Sequence, residues 1–365
     1  MRMKNPKYAY TASYTTESAA YNRYSAGDGV HVYKISESGD VWDEIQCVQE
    51  PNPAFIGFGR NKGVIYVAHS ASPEPVSGLV AYAVDKKSGL MTKMARQLDF
   101  GKPICCFCVH KSDQYMVAAD FKGTIYAIAL NQDGSLKEIT DTVALEGELG
   151  PLTKVQKCSR PHHIPFDLDG NFLVIPDKGY DLVHVYRLNI DRGKLEKVSE
   201  TAIRPASCAR HMAFHPNRRT VYMAAEFTSK VYVFDYDAQK GCLTKRQIIS
   251  AERSTYVGNY CKSSEIAVHP NGKFLYVSNR GDNTIGVFAI DALTGELTPL
   301  AWQETQGEIP RYFCLSDDGS TLYVGNQKSG NVAVFNVDAE SGMLFFRAPL
   351  IPVPCPTWIL FSENG

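Results

Sequence analysis

The sequence predicts an all-β protein, a seven-bladed β-propeller closed by pairing of the N- and C-terminal strands in one blade. Three observations predict it: a unit that recurs six times, the four short strands that each copy encodes, and apolar leftovers at both chain ends. The clearest copies are KSSEIAVHPNGKFLYVSNRGDNTIGVFAIDALTGELTPL from Lys262 and CARHMAFHPNRRTVYMAAEFTSKVYVFDYDAQKGCLTKR from Cys208. Turn glycines Gly89, Gly134, Gly193, Gly241, Gly295 and Gly342 set a period of 45 to 59 residues. No segment sustains the 3.6-residue apolar spacing that a helical solenoid would require.

Within a copy the elements follow in a fixed order. A short apolar strand leads through an HPNG-like or DDGS-like turn into a second strand such as KFLYVSN. A third such as TIGVFAI follows, and an x-G-x-L turn opens the fourth. Copies start near Asn52, Lys102, Arg160, Cys208, Lys262 and Ile309. The C-terminal CPTWILFS reads as a first strand, and the N-terminal KYAYTASYTT and GVHVYKIS read as second and third. Joined, they complete a seventh blade and leave no exposed sheet edge, whereas six blades would strand apolar segments at both ends. Residues 1–365 are thus expected to form one propeller domain.

Composition narrows the function. The 365 residues carry 38 Lys and Arg against 39 Asp and Glu, with no basic cluster, so nucleic acid and anionic membranes are not expected partners. The first residues lack an apolar signal core and no window is apolar enough to span a membrane, which points to the cytoplasm. The ten cysteines form no pair of CxxC motifs, and Cys105, Cys106 and Cys108 lie in the apolar run ICCFCV, so reduced thiols and no metal are expected. Oligomeric state is not encoded in any self-complementary apolar stripe.

Aligning the copies gives three columns whose residues differ from blade to blade. The first reads Ala54, Ile104, His162, Arg210, Ser264, Arg311 and Thr357; the next reads Phe55, Cys105, His163, His211, Glu265, Tyr312 and Trp358. At the end of the second strand stand Tyr14, Ser70, Asp120, Lys178, Glu226, Arg280 and Gln327. First and second strands run antiparallel, so these columns meet on one face of the disk. Unlike side chains at equivalent backbone positions are what an asymmetric site on a symmetric frame needs. Arg210, Glu226, His162 and Arg280 are the expected functional set. Asp120, Lys178 and Gln327 fit a solvated rim as well as a site. His163 and His211 should point away from the first column by the two-residue period of a strand. His215 and His269 sit in H-P turns and read as structural.

At these residues the chain resembles the seven-bladed propeller lactonases, the family of cycloisomerase-type 6-phosphogluconolactonases and carboxy-cis,cis-muconate lactonizing enzymes. The likeness covers almost the whole chain and rests on SRPHHIPFDLDGNFLVIPDKG, ARHMAFHPNRRTVYMAAE, SSEIAVHPNGKFLYVSNRG and PRYFCLSDDGSTLYVGNQ in this order. It implies that His162, Arg210, Glu226 and Arg280 are catalytic. The first His of the family's H-x-H segment is Arg160 here, which adds a positive charge and leaves the substrate open.

The resemblance implies a lactonase with no cofactor acting on a small-molecule lactone or carboxylate. Arg210 and Arg280 would hold carboxylate or phosphate and stabilise an oxyanion or enolate, with His162 and Glu226 as acid and base. Arg160, Lys178, Glu265, Arg311, Gln327 and Asp120 are the candidate substrate contacts. No G-x-S-x-G nucleophile or metal cage is present, which favours direct attack by water, or addition of a substrate carboxylate to a double bond, over a covalent enzyme intermediate. Hydrolysis of a sugar-acid lactone is the expected reaction; cycloisomerisation of a muconate, or a non-catalytic binding propeller, are the alternatives. The segments before Arg160 and Lys262 enter the same face and bring Lys154, Lys157, Tyr256 and Asn259 near it.

Overall fold

The structure, a computed structural model, describes residues 7–16, 27–69 and 78–362. These residues form β-strands and turns, with no helix among them. Seven antiparallel sheets follow one another along the chain, six of four strands and one of three. In a representative blade Ala209–Phe214 lies innermost, followed by Thr220–Ala225, Lys230–Asp237 and Cys242–Ser250. The inner strands of successive blades contact one another and so surround the axis.

The closing blade is built as expected. Pro356–Phe361 is its inner strand and pairs with Tyr8–Ser13, which continues to Val30–Ile35 and Trp42–Val48. The three-stranded blade carries Leu173–Asp177, Leu182–Asn189 and Lys194–Ala202. In place of a continuous inner strand it has two bridges, Pro161 to Asp177 and Phe166 to Leu173. Pro161 and Pro165 lack the N–H groups a full ladder would need.

The core lies between blades. Phe172, Val174, Val183 and Val185 of one sheet pack against Met212, Val221, Met223 and Phe234 of the next, and the same pattern recurs around the ring. It includes the joints on either side of the closing blade. Turn glycines stand where one blade touches its neighbour. Gly89 and Gly342 have positive φ, and a Cβ on either would lie 2.5 Å from the ring of Tyr8 or Phe274 of the neighbouring blade. Tyr10 and Tyr276 donate to the carbonyls of the same two glycines at 3.0 and 2.9 Å. His215 and His269 are structural, as expected: each Nε2–H donates to a turn carbonyl of the next blade, that of Gly272 or Gly319. No disulfide links the cysteines.

Candidate active site

The inner strands are irregular at the place where the columns meet. In the blade of Arg210 the register steps from Ala209 opposite Ala225 to His211 opposite Ala224, so Arg210 is the extra residue of a β-bulge. Shifts fall at Pro53/Phe55, Ile104/Cys106, Ser263/Ile266 and Pro310/Tyr312 in four other blades. A bulge breaks the two-residue alternation, so Arg210 and His211 turn towards the axis together. His211, expected to point away, instead meets His162, with Nε2 and Nδ1 3.2 Å apart.

The same registers correct the alignment of one blade. Ile104 pairs with Asp120 as Ala209 pairs with Ala225, so the bulged residue is Cys105 and the strand-end position belongs to Phe121. The Phe121 N–H bonds the Pro103 carbonyl as the Glu226 N–H bonds that of Cys208. A one-residue slip reverses every side chain. Asp120 therefore faces away from the converging columns. It accepts from the N–H groups of Lys122 and Thr124 and from Tyr126 Oη, with Lys102 Nζ 3.4 Å away. Ile104 belongs to the core. Ser70 lies outside the described residues.

Glu226 is the hub. It is buried, its Oε2 accepts from Lys178 Nζ and lies 3.4 Å from Arg210 Nε, and its Oε1 is 3.0 Å from Arg280 Nη2. Arg210 and Arg280 also donate to the Ser264 and Ser263 carbonyls, at 2.7 and 3.2 Å, which fixes both guanidinium groups. Burial alone would raise the Glu226 pKa, but Lys178, Arg280 and Arg210 hold it well below the usual carboxylate range. Burial lowers Lys178 to about 8 and, with Arg280 beside it, Arg210 to about 9. Glu226, expected to be an acid or base, is thus a fixed anion and a weak base.

His162 is partly exposed while His211 is buried. Burial first, then the Arg210 charge, holds both rings neutral, well below the ordinary histidine pKa. His211 Nδ1 lies 3.0 and 3.1 Å from the two carboxyl oxygens of buried Glu265. Burial raises Glu265 to about 7. His163 stacks on His211, ring centroids 4.8 Å apart, and its Nδ1 accepts the Met212 N–H.

The remaining candidates flank this network. Arg311 donates to Tyr14 Oη at 3.0 Å and stacks over the Tyr14 ring. The Arg160 guanidinium lies over the Phe121 ring, 5.4 Å from its centroid. Gln327 is buried and points Nε2 at Cys355 Sγ, 3.7 Å away. Lys154, Lys157 and Asn259 are exposed, and Tyr256 Oη donates to the Tyr260 carbonyl, closing its own loop. Phe121 was hidden by the slipped alignment; the shared motif of Asp120 and Asp177, each capping the turn that follows, is the signal that would have exposed it. A wide depression on the outer rim, lined by residues including Asn217, Arg219, Asp235 and Thr244, contains none of these side chains.

Seven blades around a centre with five Arg or Lys side chains, a fixed carboxylate and neutral imidazoles define a propeller with an asymmetric, cation-rich centre. The chain belongs to the seven-bladed β-propeller lactonase family, whose model matches residues 8–361. It is 29% identical over 349 residues to a 6-phosphogluconolactonase of Bacillus subtilis (strain 168), covering 93% of this chain and 97% of the relative. A 6-phosphogluconolactonase of Formosa agariphila is 26% identical over 301 residues, 80% of this chain and 84% of the relative. Among solved structures, a Lactobacillus plantarum protein superposes with a TM-score of 0.87 at 26% identity, covering 98% of this chain and 100% of the other. The periplasmic gluconolactonase of Pseudomonas aeruginosa shares the fold, with a TM-score of 0.85 at 22% identity and coverage of 98% and 99%. No helix among the described residues is long and apolar enough to cross a membrane.

Proposed function

We propose that this protein hydrolyses a sugar-acid lactone, 6-phosphogluconolactone or a related aldonic or aldaric lactone, by acid/base catalysis without a metal. The observation that carries this reading is the excess of cations over anions at the centre: Lys178, Arg210 and Arg280 surround one carboxylate, and Arg160 and Arg311 flank them. The names of the Bacillus and Formosa relatives support it.

Arg210 and Arg280, held in place by Glu226, stabilise the oxyanion that forms when water adds to the lactone carbonyl. Arg160 and Arg311 hold carboxylate or phosphate oxygens of the sugar acid. His162, neutral and accessible, takes the proton from the attacking water and returns it to the ring oxygen as the ester bond breaks. Lys178 keeps the local field positive and holds the Glu226 carboxylate in place.

The test is turnover by purified protein of 6-phosphogluconolactone, gluconolactone, galactarolactone and carboxymuconolactone, corrected for spontaneous hydrolysis. Hydrolysis of one or more sugar lactones is expected, with Arg210→Ala lowering kcat/KM roughly 10²–10³-fold, the scale of a lost oxyanion donor. Turnover of carboxymuconolactone alone would transfer the reading to a cycloisomerase. No turnover of any of the four would leave a binding propeller.

A further inference from the structure

We propose that Glu265 is the final acceptor of the proton taken up by His162, reached through His211, so that three side chains form one proton relay running from the open centre into the protein. This rests on the lactonase reading given above.

The geometry forms a single path. His162 is partly exposed and its Nδ1 is 3.2 Å from His211 Nε2. His211 Nδ1 is 3.0 Å from Glu265 Oε1 and 3.1 Å from Oε2. The Glu265 end is buried, and Oε1 also accepts the Ile266 N–H at 3.0 Å, which leaves Oε2 as the place for a proton. Hydrogen-bond chemistry then sets the tautomers. With Glu265 ionised, His211 Nδ1–H donates to it, His211 Nε2 accepts from His162 Nδ1–H, and His162 Nε2 presents a lone pair. With Glu265 protonated, every donor and acceptor in the chain is reversed, and His162 Nε2 carries a hydrogen.

In the serine hydrolase triad the terminal carboxylate does not take the proton. The charges here favour the opposite outcome. An imidazolium at His162 would face Arg210 and Lys178, with only the already neutralised Glu226 as counterion. Glu265 is surrounded by His163, His211, Tyr312, Cys314 and the charge of Arg210; burial outweighs the lowering influence of His163, the Ile266 N–H and Arg210 and places its pKa at about 7. Passing the proton inwards therefore avoids a third positive charge beside Arg210 and Lys178.

The step balances. Water oxygen adds to the lactone carbonyl and the carbonyl electron pair becomes the oxyanion. The water proton goes to His162 Nε2, the His162 Nδ1 hydrogen to His211 Nε2, and the His211 Nδ1 hydrogen to Glu265. On collapse the ring C–O bond breaks, and its oxygen takes a proton back from His162 as the relay runs in reverse. The product is the hydroxy acid, which loses its carboxyl proton to solvent. Glu265 and His211 touch no substrate atom and are positioning residues that act through His162.

Two measurements test the relay. In wild-type protein kcat/KM for gluconolactone should fall as pH drops through about 7, where Glu265 becomes protonated and can accept nothing. Glu265→Gln keeps the shape but cannot take the proton. It should lower kcat roughly 10²-fold or more, change KM less than about threefold, and abolish that acid limb. Retention of the limb, or of near wild-type kcat, overturns the proposal. In wild-type protein with ¹⁵N-labelled histidine, His162 Nε2 should change from acceptor to N–H as pH is lowered through the same range; no change overturns the relay whether or not Glu265→Gln folds. If the wild type hydrolyses no lactone the lactonase reading fails separately, and the NMR titration still decides where the proton resides.

Discussion

Three cations share the Glu226 carboxylate, and its removal would leave Lys178, Arg210 and Arg280 buried without the anion that pairs with all three. Breaking a buried ionic group from one side costs about 3–5 kcal/mol. Glu226→Gln should therefore destabilise the protein by about that amount in urea unfolding. The double variant Glu226→Gln/Lys178→Met should cost less than the sum of the singles, because the second substitution removes one of the stranded charges. Glu265 gives a separate stability signal with a defined sign. Its folded pKa is raised from 4.5 to about 7, so its contribution is full below pH 4.5 and is lost as pH rises through 7. Between these limits the folded protein holds a proton that the unfolded chain has released. Relative to Glu265→Gln, wild-type stability should fall by about 3 kcal/mol from pH 4.5 to pH 7. Parallel pH profiles for the two proteins would show that Glu265 titrates as it does in water.

At the scale of strands and loops, the glycines that follow the site residues hold the entering segments close. Gly281, with φ +100°, follows Arg280, and a Cβ there would lie 1.8 Å from the Tyr260 carbonyl oxygen. Gly179 follows Lys178, and its Cβ would lie 1.9 Å from that of Cys158. Gly281→Ala should push the Tyr260 loop away or turn Arg280 aside, lowering kcat/KM by roughly tenfold or more, since small misplacements at a reacting centre are costly. Gly101→Ala, at φ +62° with no atom within 4 Å of the added Cβ, is the control: about 1 kcal/mol of backbone strain and unchanged kcat/KM. The approach of both loops was legible in the sequence, as was the meeting of His162, Arg210, Glu226 and Arg280, because antiparallel pairing fixes which strand ends lie side by side. The role of His211 was not, since strict alternation holds only without bulges, and nothing in ARHMAF marks Arg210 as an extra residue. The slip at Asp120 has a related cause: ICCFCV offers apolar residues on both faces, so one register looks as good as the next until the turn caps of Asp120 and Asp177 are compared.

For the whole molecule, the ring was legible because both chain ends carry unpaired strand patterns, and the closing blade places them as expected. Ala9 pairs with Phe361 and Ala12 with Trp358, while Ser362 N–H bonds the Tyr8 carbonyl. Trp358 stacks on Tyr312 at 3.9 Å and lies 4.2 Å from Phe55, ring centroid to centroid, so the C-terminal strand joins the blades on both sides as well as the N-terminal strand. Truncation after Cys355 would leave Tyr8–Ser13 with an unpaired edge and expose the faces that Ile359 and Trp358 cover. Loss of buried Ile359 and of the partly buried Trp358, Leu360 and Phe361 costs about 5 kcal/mol or more. The truncated chain should lose its cooperative thermal transition or melt roughly 10 °C or more below wild type. A circular permutant separates closure from chain length. Its old ends, adjacent at Tyr8 and Ser362, are joined by a short Gly/Ser linker, and new ends are cut at the exposed outer turn carrying Leu293. Every strand pair is kept, so the permutant should melt within about 5 °C of wild type and retain kcat, since its cut lies in an outer turn on a fourth strand. A permutant as unstable as the truncation would mean that continuity of the chain through Leu293, and not pairing of the terminal strands, holds the ring closed.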